Sequence, residues 1–217
     1  MPKTEALTTR STWIRAAFVG LWVSSCVPSA SVSAQQLLDR VVARVNGSVI
    51  LMTDMQAAVG LGLVEASADP VQGAIERQLQ LGEVARFPPP EPRTEAIDME
   101  LGRLKARAGA RLSALMASTG LNEDRLREIA RESLRIQAYL DQRFGASVPV
   151  SEEQALQYFR DHPEEFTRDG VASAFEEVSA IARQRASVER RRITVAQWLR
   201  DLRSRAEIVV VSGPTFH

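Results

Sequence analysis

The chain has 217 residues, 27 Lys and Arg against 27 Asp and Glu, and a single cysteine. Zero formal net charge leaves no cationic footprint for nucleic acid, and one Cys excludes an intramolecular disulfide framework or a Cys-rich zinc module. The only histidines, His162 and His217, give almost no material for a His metal site or a His-activated nucleophile, and 45% hydrophobic residues with 25% charged is the composition of a soluble globular protein.

The chain opens on an export pattern. Lys3, Arg10 and Arg15 precede the apolar run Ala16-Ala17-Phe18-Val19-Gly20-Leu21-Trp22-Val23, and small residues ending Ser31-Val32-Ser33-Ala34 follow it. A basic start, a short apolar run and a small-residue cleavage point predict a signal peptide over 1–34, the run being too short to span a bilayer. Its removal takes three basic residues and one acid, Glu5, and leaves a net charge of −2. Two cleavage readings stay open. Val32-Ser33-Ala34 suits the general signal peptidase, whereas Val23-Ser24-Ser25-Cys26 resembles a bacterial lipobox in which Cys26 would be lipidated and tether the protein to a membrane.

Residues 39–52 predict a hairpin, because two β-rich runs flank Asn46-Gly47, the pair that best accepts the positive φ angles of a type I′ turn. Thr53 reads as an N-cap opening a helix to about Val64. Asp69-Pro70 repeats that start for a helix to about Arg86, with Val71, Ala74, Ile75, Leu79 and Gly82 inward. Pro88-Pro89-Pro90-Glu91-Pro92 is a stiff extended connection. A third helix from about Thr94 carries Ile97, Leu101, Leu104 and Ala108 on one stripe, and a short fourth over 111–118 ends at Gly120. Asn122 caps a long amphipathic helix with Leu126, Ile129, Ala130, Ile136, Leu140 and Phe144 inward, stopped by Gly145.

Ser151-Glu152-Glu153-Gln154 is a capping box for a helix to about His162, and Thr167-Arg168-Asp169-Gly170 is a break. From about Ser173 to Ala206 the pattern is helical, with Phe175, Val178, Ile181, Ala182, Ile193, Ala196, Leu199 and Leu202 inward, before the strand-like Ile208-Val209-Val210-Val211. Two hairpin strands alone are marginal in water, so the terminal strand is expected to join them. The fold class expected is mainly α, a multi-helix core with a small sheet made by the N-terminal hairpin and the C-terminal strand. Beyond the signal, the organisation is an N-terminal hairpin and helices to 147, a linker helix over 148–170 and a C-terminal helix and strand over 171–217.

Positive signals for catalysis are lacking. Gly60-Leu61-Gly62 does not make a phosphate loop, and no Gly-x-Ser-x-Gly elbow occurs. His162 reads as a solvated loop residue, Glu152-Glu153 and Glu164-Glu165 as helix-start charge, and Arg190-Arg191-Arg192 as a solvated face. Met52, Met55, Met99 and Met116 read as core filler, although Met also suits promiscuous binding surfaces. No enzyme activity, cofactor or metal is implied.

The run Asp39 to Asp54, Asp-Arg-Val-Val-Ala-Arg-Val-Asn-Gly-Ser-Val-Ile-Leu-Met-Thr-Asp, resembles the opening of mature SurA-type periplasmic chaperones, and the likeness continues through the helices to about Phe144. Val150-Ser151-Glu152-Glu153 through Tyr158-Phe159-Arg160-Asp161-His162-Pro163-Glu164-Glu165-Phe166 is similar to the helix that leads into the family's parvulin prolyl-isomerase domain. Arg190 to Val211, with Trp198-Leu199-Arg200-Asp201-Leu202-Arg203, is similar to its C-terminal helix and strand. The resemblance covers nearly the whole mature chain. It implies a periplasmic, ATP-independent holdase core for unfolded exported proteins, outer-membrane β-barrel proteins in particular. One departure is large: eight residues stand between Phe166 and Phe175 where the family inserts an isomerase domain. Isomerase activity is therefore not implied. The alternative is a lipid-anchored envelope scaffold or adaptor that holds a folded partner, and no peptide-binding residue can be assigned by sequence.

Overall fold

A computed structural model of the chain describes residues 39–65, 69–145, 150–168 and 171–211. The predicted export signal and Cys26 lie outside the described residues.

The hairpin forms where the sequence predicts it. Strand β1 (Val41–Val45) turns through Asn46 (φ 47°) and Gly47 (φ 85°) into β2 (Ser48–Leu51), the type I′ geometry that brings two twisted strands together in register. The terminal strand, β5 (Ile208–Val210), pairs antiparallel with β1 on its other side, matching Ala43 with Val210 and Val45 with Ile208, so the order is β2-β1-β5. Asn46 also fixes this closure. Its N–H donates to the Glu207 carbonyl and its Oδ1 accepts from the Glu207 N–H, each at 2.9 Å. Asn46→Ala removes a residue tolerant of positive φ together with one hydrogen bond, and is expected to cost about 2 kcal/mol in urea unfolding. Asn46→Gly keeps the turn and loses only the side-chain bond, so it should lose clearly less but still a measurable amount; no loss in Asn46→Gly would refute the side-chain tie.

Helix α1 (Met52–Gly60) starts one residue before the predicted cap and ends short of Val64. Thr53 lies inside the first turn, and the cap is supplied from a distance. The Asp39 carboxylate accepts the Thr53 N–H at 3.3 Å and the Thr53 hydroxyl, 14 residues along the chain. Helix α2 (Pro70–Arg86) starts as expected, the Asp69 side chain accepting from the Val71 and Gln72 amides at 3.0 and 3.4 Å. Ala74, Ile75 and Leu79 are buried, but Gly82 is exposed, a correction to the predicted stripe.

After the proline connection come α3 (Thr94–Ala108), a 3₁₀ turn (Gly109–Arg111) and α4 (Leu112–Thr119), ended by Gly120 at φ 70°. Helix α5 (Glu123–Phe144) is capped by the Asn122 side chain, which accepts the Arg125 N–H at 2.8 Å. Gly145 then ends it while keeping a right-handed φ of −77°. Leu61, Ile97, Leu101, Leu104, Ala108, Leu126, Ile129 and Ala130 form one core, close to the predicted positions on α3 and α5. Leu140 and Phe144 are only half-buried, whereas Tyr139, not expected inward, is buried.

Helix α6 (Glu152–Asp161) carries the complete Ser151–Gln154 capping box. A 3₁₀ turn (Pro163–Phe166) leads to a hairpin of β3 (Thr167–Arg168) and β4 (Val171–Ala172), where the sequence predicted only a break. Helix α7 (Phe175–Arg205), about 46 Å long by its rise per residue, then returns the chain to β5. Its first half packs Ala182 and Ala186 on Val150, Ala155 and Phe166 beside α6; its second half sets Trp198 among Val84, Ile136 and Tyr139. Ile181 and Ile193, predicted inward, are 50% and 52% exposed. The helix changes partners midway, so no single stripe describes it. The fold is thus mainly α with one three-stranded antiparallel sheet built from both ends of the described chain, and its underside rests on α2 through Val42, Ala43, Val45, Ile50, Ala74, Ile75 and Leu79.

Candidate functional site

A cleft of about 520 Å³ opens where β2, α1, α2 and α5 meet. Helix α2 supplies Ala74, Arg77, Gln78, Leu81, Gly82 and Ala85, and the exposed Gly82 leaves that surface without a side chain. Strand β2 and α1 give Val49, Ile50, Met55 and Ala58 on one side, followed by Leu63 in the turn after α1. Helix α5 gives Arg125, Glu128, Ile129, Glu132 and Arg135 on the other.

Polar groups in this cleft are organised around Glu132. Arg77 Nη2 donates to Glu132 Oε2 at 3.3 Å and to Ser133 Oγ at 3.3 Å, and Arg125 Nη1 reaches Glu132 Oε1 at 3.0 Å. One carboxylate therefore serves two guanidiniums. Burial holds Arg77 below its ordinary pKa; the charge and hydrogen bond of Glu132 oppose that effect, while the charge of Arg125 adds to it. An arginine stays charged under such a shift, so α2 keeps a largely desolvated cation at the cleft.

The other residues singled out by sequence fall elsewhere. His162, expected in a solvated loop, stacks on Tyr158 with ring centroids 4.1 Å apart and bonds through Nδ1 to the Tyr158 carbonyl at 3.0 Å. Glu152 and Glu153 sit in the exposed first turn of α6, as read. Glu165 does more than begin a turn: it accepts from Tyr158 Oη at 3.1 Å and from Arg185 at 2.7 Å, joining the 3₁₀ segment to α6 and α7. Partial burial works to raise its pKa, but the hydrogen bonds from Arg185 and Tyr158 outweigh it and hold the carboxyl below its ordinary value. Arg190, Arg191 and Arg192 bond to Gln154, Asp141 and Glu189 respectively, so this basic run is engaged within the chain. Met52, Met55 and Met116 pack against the cores, whereas Met99 is 61% exposed and departs from the core reading.

Among the described residues, no cluster of three or more His, Cys, Asp or Glu could hold a metal, and no helix is long and apolar enough to cross a membrane. A second depression, between α6 and α7, is lined by Tyr158, Glu165, Gln184, Arg185, Val188 and Glu189, and its charged residues are already paired, Glu165 with Arg185 and Glu189 with Arg192. The first cleft is the stronger binding candidate. It joins apolar side chains, a strand edge that is unpaired among the described residues, and arginines. Sequence reasoning missed it because Arg77 and Glu132 stand 55 residues apart and meet only through the packing of α2 on α5. No protein-family model and no curated protein matches the chain.

Proposed function

We propose that the chain is an exported, ATP-independent holdase that binds unfolded polypeptides in the cleft between β2, α1, α2 and α5, as a SurA-type chaperone core without an isomerase domain. The observation that carries this reading is the cleft itself, which offers Val49, Met55, Leu63 and Leu81 beside a strand edge and arginines. Such a surface suits extended chain of mixed composition better than a small molecule of fixed shape. The element order gives further support. In the resembled family the isomerase domain enters between the counterparts of Phe166 and Phe175, and here the short β3–β4 hairpin bridges that gap.

A holdase without a nucleotide cycle acts by mass action. At a free concentration ten times its Kd it lowers the free client about tenfold, enough to slow an aggregation step that depends steeply on unfolded chain. The clients proposed are unfolded outer-membrane β-barrel proteins in the periplasm. Diluting such a protein from urea into equimolar or excess purified chain is expected to suppress light scattering in proportion to chain added. Scattering unchanged at a fivefold excess would overturn the reading. The lipid-anchored scaffold alternative rests on Val23-Ser24-Ser25-Cys26. An intact mass with diacylglyceryl-modified Cys26 as first residue would establish the anchor, and a mass beginning at Gln35 would remove it.

A further inference from the structure

The long sides of the cleft differ in charge. On the α2 and α5 side, Glu132 already serves Arg77 and Arg125, and Glu128 is held by Arg131 at 2.7 Å. Arg131 also takes Glu91 at 3.0 Å, and among the described residues Arg135 has only this shared carboxylate, at 3.9 Å. Among the described residues the Arg135 Nε, like the Arg131 Nε, is buried with no hydrogen-bond partner, but Arg131 keeps close ion pairs to Glu91 and Glu128 whereas Arg135 does not. Four guanidiniums therefore share three carboxylates on this side, and Arg135, the least satisfied of them, lines the cleft. Across from it, Asp54 in the first turn of α1 is the single charged lining residue.

The Asp54 side is also a strand edge that is open among the described residues, where β2 pairs only with β1. In a hairpin with a two-residue turn the closing pair, here Val45 and Ser48, is the hydrogen-bonded one. The next pair, Arg44 and Val49, is then the non-bonded one, and the N–H and C=O of Val49 point away from β1. Val49 lines the cleft and is exposed. A strand edge on one side and under-neutralised arginines on the other define a complementary ligand: an extended backbone carrying a negative side chain.

We propose that the cleft takes an extended, acidic segment of an unfolded chain, which pairs with β2 at Val49 and sets an Asp or Glu carboxylate against Arg135. This deepens the holdase reading and rests on it for the nature of the occupant. Arg135 has already lost much of its hydration, so an arriving carboxylate gains a charge-assisted hydrogen bond at little further desolvation of the protein. Met55, Leu63 and Leu81 accept apolar side chains beside the acid. The site would thus favour segments in which one acid interrupts an apolar run, and disfavour the same segments carrying Lys.

The test uses two fluorescent decapeptides of alternating Val and Thr, acetylated and amidated, with one central Glu or Gln, titrated by anisotropy against the purified protein. The Glu peptide is expected to bind about tenfold tighter, the range of one charge-assisted hydrogen bond, with the advantage shrinking as salt is added. Arg135→Gln should abolish the difference between the Glu and Gln peptides, bringing the ratio of their affinities to about one. Arg135 is partly exposed, so the substitution opens no core cavity. Equal affinities on the unsubstituted protein, including no binding of either peptide, would overturn the inference, as would a Glu preference that survives Arg135→Gln. Aggregation suppression without a Glu preference would leave the holdase standing and sink this inference; a Glu preference without suppression would support it and sink the holdase.

Discussion

Trp198→Ala is expected to remove about 3–5 kcal/mol of folding stability, the range for deleting a buried aromatic side chain from a packed core. Trp198 is buried in the second half of α7, where its ring lies 5.8 Å from that of Tyr139 and 5.4 Å from that of Phe144, with Val84 and Ile136 completing the contact. These neighbours come from α2 and α5, so this one side chain holds α7 to both helices. Arg143 adds its guanidinium over the same indole, 5.9 Å from the ring centroid. The cavity left by Ala would loosen α7 and, through it, β5, which α7 delivers to the edge of β1. Urea unfolding followed by far-UV circular dichroism measures the loss, because that signal does not depend on the deleted indole. A loss below about 1 kcal/mol would mean that α2 and α5 hold α7 through other contacts. Trp198→Phe retains much of the ring packing and is expected to recover more than half of the loss.

Trp198 also marks where periodicity stops being informative. On α3 the inward residues follow one stripe because the helix packs against a single wall, and Ile97, Leu101, Leu104 and Ala108 are all buried as their spacing predicts. On α7 a common stripe over the whole helix puts Ile181 and Ile193 inward, and both are exposed. The helix meets α6 first and then α2 and α5, and the change of partner rotates the buried face. Small residues, Ala182 and Ala186, mark its contact with α6, a signal that apolar periodicity weights least. Helix starts divide in the same way. Asp69, Asn122 and Ser151 cap their own helices and are readable from adjacent residues, whereas α1 is capped by Asp39 across a hairpin. The pairing of the terminal strand with the hairpin follows from the instability of two strands alone. The cleft does not follow from any local rule. Each of its charged residues reads as an ordinary exposed helix position, and its shape arises only when α2 is flanked by β2 and α1 on one side and α5 on the other.

Ile75→Ala is expected to cost about 2–5 kcal/mol and, unlike changes on α7, to damage the cleft and the sheet together. Ile75 is fully buried on α2 within the core formed by Val42, Ala43, Val45, Ile50, Ala74 and Leu79, and Met52, Met55, Val71, Leu202 and Ile208 pack around that core. These residues come from both ends of the described chain. Ile75 thus lies where the hairpin, the start of α1, the end of α7 and β5 converge. Its neighbours Ala74 and Gln78 line the cleft, so a shift of α2 toward the vacated space moves the cleft surface relative to β2. Ile75→Val, which removes one methylene, is expected to cost only about 0.5–1.5 kcal/mol. Comparing the two variants separates stability from binding. At a temperature where Ile75→Ala is still folded by circular dichroism, its affinity for the Glu decapeptide should fall while that of Ile75→Val stays near the unsubstituted value. If folded Ile75→Ala binds the peptide normally, the position of α2 beneath the sheet does not set the cleft, and recognition would have to rest on the β2 edge and α5 without it.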